Sequence, residues 1–158
     1  MTFTQRFQTF VCEGDSISCE VAGFEITARI VRDDCGDAPD ERQDGFWPSL
    51  YKDAPGFIGP GPNHRQRFAE AQARAEAVMA AWRKDEWFYC GIVLSVALEG
   101  VTLEQNAAAL SGIEANYPDS DNAYLTEVAQ ELLPAALDAG RAAARRLCAA
   151  LETSEARA

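Results

Sequence analysis

With 158 residues, 25 acidic against 14 basic side chains and a formal net charge of −11, the chain carries a field that repels phosphate backbones and anionic membrane surfaces, so direct binding of DNA, RNA or acidic lipid is disfavoured. A hydrophobic fraction of 47% and an aromatic fraction of 9% lie in the globular range, so the charge decorates a packed chain and does not mark a disordered one. The longest apolar run, about residues 91–98, is far shorter than the ~20 residues a membrane span needs, and no basic region followed by an apolar stretch opens the sequence, which predicts a cytoplasmic protein.

The first third reads as antiparallel sheet. Phe7, Thr9 and Val11 alternate with Gln8, Phe10 and Cys12, and Glu13-Gly14-Asp15 supplies turn chemistry. Ile17, Cys19 and Val21 alternate with serines and Glu20, and Ala22-Gly23 connects them to Phe24, Ile26, Ala28 and Ile30. The period of two predicts a three-stranded meander ending near Val31. Residues 32–62 change to Asp, Gly and Pro with isolated aromatics (Phe46, Trp47, Tyr51, Phe57), which predicts a long acidic loop anchored by its aromatics, with Trp47 as a plug over a sheet edge. Asn63 and Gln66 fit a capping box, and Phe68, Ala71, Ala75, Val78, Met79 and Trp82 then recur at helical steps, predicting a helix over 64–84 with that face on the sheet.

Residues 87–98 are rich in aromatic and branched side chains and predict a buried central strand, with Glu99-Gly100 as a turn into Val101-Thr102-Leu103. The stretch 104–115 is open between helix and strand. Pro118 to Asp121 is a helix-start cluster, followed by Tyr124, Leu125, Val128 and Leu132 at helical spacing. Pro134 predicts either one kinked helix or two helices, the second carried by Leu137, Ala144, Leu147 and Leu151 and ending in Arg141, Arg145 and Arg146. The expected fold is therefore α+β: an antiparallel sheet of about four or five strands with two or three helices packed on one face, as a single domain over residues 1–152, with a frayed tail at 153–158.

Charge is segregated along the chain. Residues 85–140 contain no Lys or Arg, where an even spread would place about five (56 × 14/158), yet they carry ten carboxylates. At 100° per residue Glu127, Glu131 and Asp138 fall within about 40° of one another, opposite Leu125, Leu132 and Leu147. At 1.5 Å rise they are spaced ~6 Å and ~10 Å along the axis, comparable to steps between phosphates on a nucleic-acid strand. No Lys or Arg relieves these acids until Arg141. A second cluster, Asp33, Asp34, Asp37, Asp40, Glu41 and Asp44, opens the long loop with only Arg32 and Arg42 nearby. With Trp47, Asp119 and Asp121, these residues make up the expected partner-binding set. Solubility alone also accounts for an outward acidic helix face.

The five cysteines, Cys12, Cys19, Cys35, Cys90 and Cys148, are widely spaced with no C-x-x-C pair and read as reduced, mostly buried thiols. With His64 as the single histidine, neither a zinc site nor a Cys-His nucleophile is indicated, and no cofactor is expected. Cys35 and Gly36 interrupt any EF-hand pattern in the acidic loop, and P-loop, dinucleotide and G-x-S-x-G signatures are absent. No carboxylate pair is singled out for glycoside chemistry.

Asp85-Glu86-Trp87-Phe88-Tyr89-Cys90-Gly91-Ile92-Val93-Leu94-Ser95-Val96, Gly100-Val101-Thr102-Leu103, Gly112-Ile113-Glu114 and Ser120 to Ala129, together with Gly14 to Glu20 and Thr27 to Asp34, resemble a family of small acidic accessory proteins carried by bacterial phages and plasmids. The likeness runs nearly end to end and is weakest over 35–62. It implies the setting of mobile-element cargo and little mechanism. Such cargo often blocks host defence, so the expectation is a non-enzymatic inhibitor of anti-CRISPR or antirestriction type, acting in the host cytoplasm by presenting carboxylates to a basic nucleic-acid-binding site. The alternative is a phage or plasmid structural or adaptor protein that binds a protein partner through the aromatics around Trp47 and Phe57. An enzyme dependent on a divalent metal held by Asp37 and Asp40 is the third reading.

Overall fold

The computed structural model describes residues 2–34, 37–42 and 48–155, so the expectations for Cys35, Asp44, Phe46 and Trp47 and for the last three residues lie outside the described residues. The chain forms two compact units. One takes the described residues of Met1–Asp33, Tyr89–Asn116 and Ser120–Ala158, the other those of Asp34–Phe88 and Tyr117–Asp119.

The first unit is built on a four-stranded antiparallel sheet in the order β1-β2-β3-β4, formed by β1 (Ser16–Val21), β2 (Phe24–Arg32), β3 (Phe88–Leu98) and β4 (Val101–Ala115). The connections Ala22-Gly23 and Glu99-Gly100 have positive φ at both residues, the backbone whose twist matches that of the strands it joins. Register follows the hydrophobic pattern. Ile17 faces Ala28, and Ile26, Ala28 and Ile30 face Val96, Leu94 and Ile92, all buried. The opposite face carries Ser18, Thr27 and Ser95 in one row, with the Ser18 and Thr27 hydroxyls 3.1 Å apart. A one-residue slip would exchange the two sets.

The buried sheet face meets α3 (Ala123–Glu155), a single 33-residue helix that contains Pro134 and packs on β4 and β2. Of the two sequence alternatives at Pro134, the continuous helix is the one formed, and it runs past Glu152 to Glu155. Leu125, Ala129, Leu133, Ala136 and Ala143 form its buried stripe. At Gly140 the helix lies so close to β3 that a methyl there would sit 2.5 Å from Cγ1 of Val96.

The segment before β1 corrects the sequence reading. Residues 7–12 are not a strand. Their apolar residues count in fours, with Phe3, Phe7 and Val11 buried, and Phe10 lies exposed. Side chains far along the chain satisfy the backbone in place of a ladder: Phe3 N donates to Gln130 Oε1 at 3.0 Å and Phe7 N to Thr126 Oγ1 at 3.1 Å. Asn116 Oδ1 accepts from Val11 N at 2.9 Å while its Nδ2 donates to Val11 O at 2.8 Å. Fully buried Asn122 completes the clasp. It accepts from Asn116 N at 2.9 Å and donates from Nδ2 to Thr9 O at 3.0 Å and Asn116 Oδ1 at 2.9 Å. Both asparagines are left-handed (φ 58° and 60°), a conformation Asn tolerates better than most residues. The ambiguous stretch 104–115 belongs to β4, with Gly112 at φ 79° inside it.

The second unit holds α1 (Pro39–Arg42) and α2 (His64–Arg83). No capping box forms at α2: Asn63 is left-handed with no side-chain cap, and Gln66 Nε2 donates to Glu70 Oε1 at 3.0 Å. The expected apolar face is narrower than read, because only Ala71, Ala75 and Met79 are buried while Phe68 is exposed beside His64. The loop before α2 is pinned by arginines. Arg67 donates to the carbonyls of Gly59, Gly61 and Pro62, the last at 2.9 Å, and Arg74 Nη2 to Phe57 O at 2.6 Å. Trp87 is fully buried, donates from Nε1 to Val78 O at 2.9 Å and meets the Tyr117 ring edge-on at 5.0 Å.

Candidate partner-binding surface

The outward stripe predicted on α3 is present, because the buried stripe fixes the roll of the helix. Glu127, Glu131 and Asp138 are all exposed. Asp138 is partly neutralised by Arg141, whose Nη1 lies 3.6 Å from Oδ1, an exposed pair of roughly 0–1 kcal/mol. Glu127 and Glu131 have no ion-pair partner among the described residues. Arg146 reaches Glu104 on β4 at 4.0 Å, so the arginines of the last helical turns fold back on two acids and leave the first two of the stripe open.

The remaining expected residues do other local work or lie apart. Asp121 is exposed, but its Oδ1 accepts from Ala123 N at 2.9 Å at the start of α3, beside Ser120 Oγ accepting from Asn122 N at 3.1 Å. Asp33 continues the ladder past β2 by donating its N–H to Tyr89 O at 3.0 Å. In the second unit Asp34, Asp37 and Asp119 are exposed, Asp40 is half-buried in α1, and Glu41 Oε2 accepts from Ala38 N at 3.2 Å. No group of His, Cys, Asp and Glu placed to hold a metal occurs among the described residues.

The sequence reading counted Tyr51 among the aromatics that anchor the loop, but in the structure it is exposed with Leu50 at the tip of the loop over residues 49–58. Its ends are closed by a parallel bridge between Ser49 and Phe57, with Ser49 N donating to Gly56 O at 2.9 Å and Ile58 N to Ser49 O at 2.7 Å. Ile58 is buried, Phe57 half-buried, and Leu50 and Tyr51 stand 79% and 78% exposed at the tip. Bulk beside turn residues was the available signal, but it pointed to Trp47 and Phe57.

The thiols also differ from expectation. Of the four described, Cys12 and Cys148 are exposed, Cys19 is half-buried and only Cys90 is buried. Burial pushes the Cys90 thiol up to about 12, with Glu114 and then Asp33 adding like charge. Tyr124 is raised for the same first reason, then by Glu114 and Cys90, and its buried hydroxyl makes no hydrogen bond. Cys90 is thus held as a neutral thiol, the opposite of an activated nucleophile. No helix among the described residues is long and apolar enough to cross a membrane. No family model, curated protein or solved structure matches this chain.

Proposed function

We propose that this protein is a non-enzymatic inhibitor carried by a phage or plasmid, acting in the host cytoplasm on a nucleic-acid-handling defence complex of anti-CRISPR or antirestriction type. The observation that supports this best is the pair Glu127 and Glu131: adjacent turns of one helix, outward, without counter-charge, on a helix held by its opposite face. The packed helix fixes the spacing of their backbone, so these carboxylates can replace phosphates against Lys and Arg of a basic channel at the cost of ordering their side chains. Asp138 contributes less because Arg141 competes for it.

The test is binding of the full chain to purified surveillance and restriction complexes over a salt series. Affinity falls as salt rises, and Glu127→Gln with Glu131→Gln loses roughly 0.2–1 kcal/mol per broken pair and flattens the salt dependence. Affinity indifferent to salt, or untouched by the double substitution, refutes charge mimicry.

The exposed Leu50 and Tyr51 favour a second reading, an adaptor that docks through this loop tip. Under it, Leu50→Ser and Tyr51→Ser abolish capture of the partner while the α3 substitutions leave it intact.

A further inference from the structure

The sheet face turned away from α3 holds a polar hollow of about 300 Å³. In the register of β2 with β3, Thr27 faces Ser95 and Arg29 faces Val93, all on the side opposite the buried Ile26, Ala28 and Ile30. Thr102, Gln105 and Asn106 of β4 form the remaining wall. At the next outward position of β3, a Cβ on Gly91 would lie 3.2 Å from Leu110 O and 3.5 Å from Ser111 Cα, so the backbone of β4 crowds this face and bounds the hollow at that end. The charge inside it is unbalanced. In a chain with 25 acidic side chains against 14 basic ones, the Arg29 guanidinium has neither an ion-pair nor a hydrogen-bond partner among the described residues. The side chains of Ser95, Thr102, Gln105 and Asn106 are also without a hydrogen bond among the described residues, and Thr27 meets only the Ser18 hydroxyl at 3.1 Å.

We propose that this hollow binds a small hydroxylated monocarboxylate, with the carboxylate on Arg29 and the ligand hydroxyls on Ser95, Thr102, Gln105 and Asn106. Three properties select that class. The planar guanidinium fork matches a carboxylate with two parallel hydrogen bonds, and as the single cation lining the hollow it neutralises one negative charge. A chain of net charge −11 repels multiply charged ligands and polyanions more strongly than a monoanion. Hydroxyl and amide side chains both donate and accept, as ligand hydroxyls do, and a volume of about 300 Å³ lies at the lower end of small-molecule sites. The site is separate from the acidic stripe, because α3 packs on the other face of the sheet.

The test is an amide chemical-shift titration of the full chain at low salt with glycerate, gluconate and glucuronate, set against sorbitol as a neutral polyol and inorganic phosphate as a more highly charged anion. The expected result is saturable shifts confined to the strands around residues 27–29, 93–95 and 102–106 with at least one of the carboxylates, and weaker binding of sorbitol and phosphate. Arg29→Gln, at an exposed position where the fold is kept, weakens the carboxylate by roughly fivefold or more. Arg6→Gln removes the same charge from an exposed position outside the hollow and leaves binding intact, as does Glu127→Gln with Glu131→Gln. The absence of saturable shifts with all three carboxylates, sorbitol or phosphate binding as tightly as they do, or Arg6→Gln weakening binding as much as Arg29→Gln, overturns the proposal.

Discussion

Replacing Gly140 by alanine sets two effects of opposite sign against each other. Alanine in a helix interior is better than glycine by about 1 kcal/mol. The added methyl, however, would lie 2.5 Å from Val96 Cγ1 and 3.3 Å from its Cβ, where ordinary carbon contacts are about 3.5–4.0 Å. Val96 is fully buried in an inner strand and stiff at χ1, so relief has to come from moving α3. Overpacking of this kind costs about 1–3 kcal/mol, and an overlap of about 1 Å places it at the upper end. The expected net loss is about 2 kcal/mol, or a fall in Tm of about 4–8 °C for a chain of this size. Val96→Ala alone costs about 2–3 kcal/mol through lost burial and a cavity. Combined with Gly140→Ala it costs less than the sum by about 1–2 kcal/mol, because the new methyl enters the space vacated. Urea titration of the four proteins measures this cycle. A Gly140→Ala protein that is more stable by about 1 kcal/mol, with additive behaviour in the double variant, would show that propensity governs and that α3 does not press on β3 at this point.

Asn122→Ala removes the acceptor of Asn116 N and a donor to Thr9 O, and places alanine at φ 60°. The expected loss is about 2–4 kcal/mol, with faster amide exchange confined first to residues 3–11; unchanged exchange there would mean the clasp does not hold the segment. Above pH 9 an unfolded Cys90 loses its proton while the folded thiol keeps it to about 12. The unfolded state then binds fewer protons, so stability falls as pH rises across this window, by at most about 1.4 kcal/mol per pH unit. Denaturation at stepped alkaline pH should show that slope, and Cys90→Ala should flatten it; equal slopes in the two proteins would contradict the burial of the thiol. Glu127→Gln with Glu131→Gln should shift the urea midpoint by no more than about 0.5 kcal/mol of stability, and a larger loss would assign the pair a structural duty.

Where a signal is local, the sequence carried it. The hairpin turns Ala22-Gly23 and Glu99-Gly100, the alternation of β2 and the roll of α3 all follow from spacing within a dozen residues, and so did the outward direction of Glu127 and Glu131. Three things were not local. The alternation of Phe7, Thr9 and Val11 imitated a strand, but the groups that satisfy this backbone sit more than 100 positions away, at Asn116, Thr126 and Gln130. β4 is written in Ala, Gln, Asn and Leu, residues that favour helix as much as strand, and pairing with β3 decides between them. The capping box read at Asn63 and Gln66 does not form: Asn63 is left-handed and makes no side-chain cap, and Gln66 bonds Glu70 one turn on. The ion pair from Asp138 to Arg141 was within reach of inspection, since it spans three residues on one helix.

The clasp at Asn116 and Asn122 also bears on the order of folding. Its bonds to the first eleven residues span 105 to 113 positions, whereas each hairpin closes over two. Chain closure of that length is slow to be rewarded, so the hairpins and the docking of α3 come first and the leading segment zips on afterwards. Contacts made that late lie beyond the rate-limiting barrier. A chevron of the Asn122→Ala protein should therefore keep its refolding arm and raise its unfolding arm, making this clasp the determinant of how long the native chain lasts and leaving the speed of its formation unchanged.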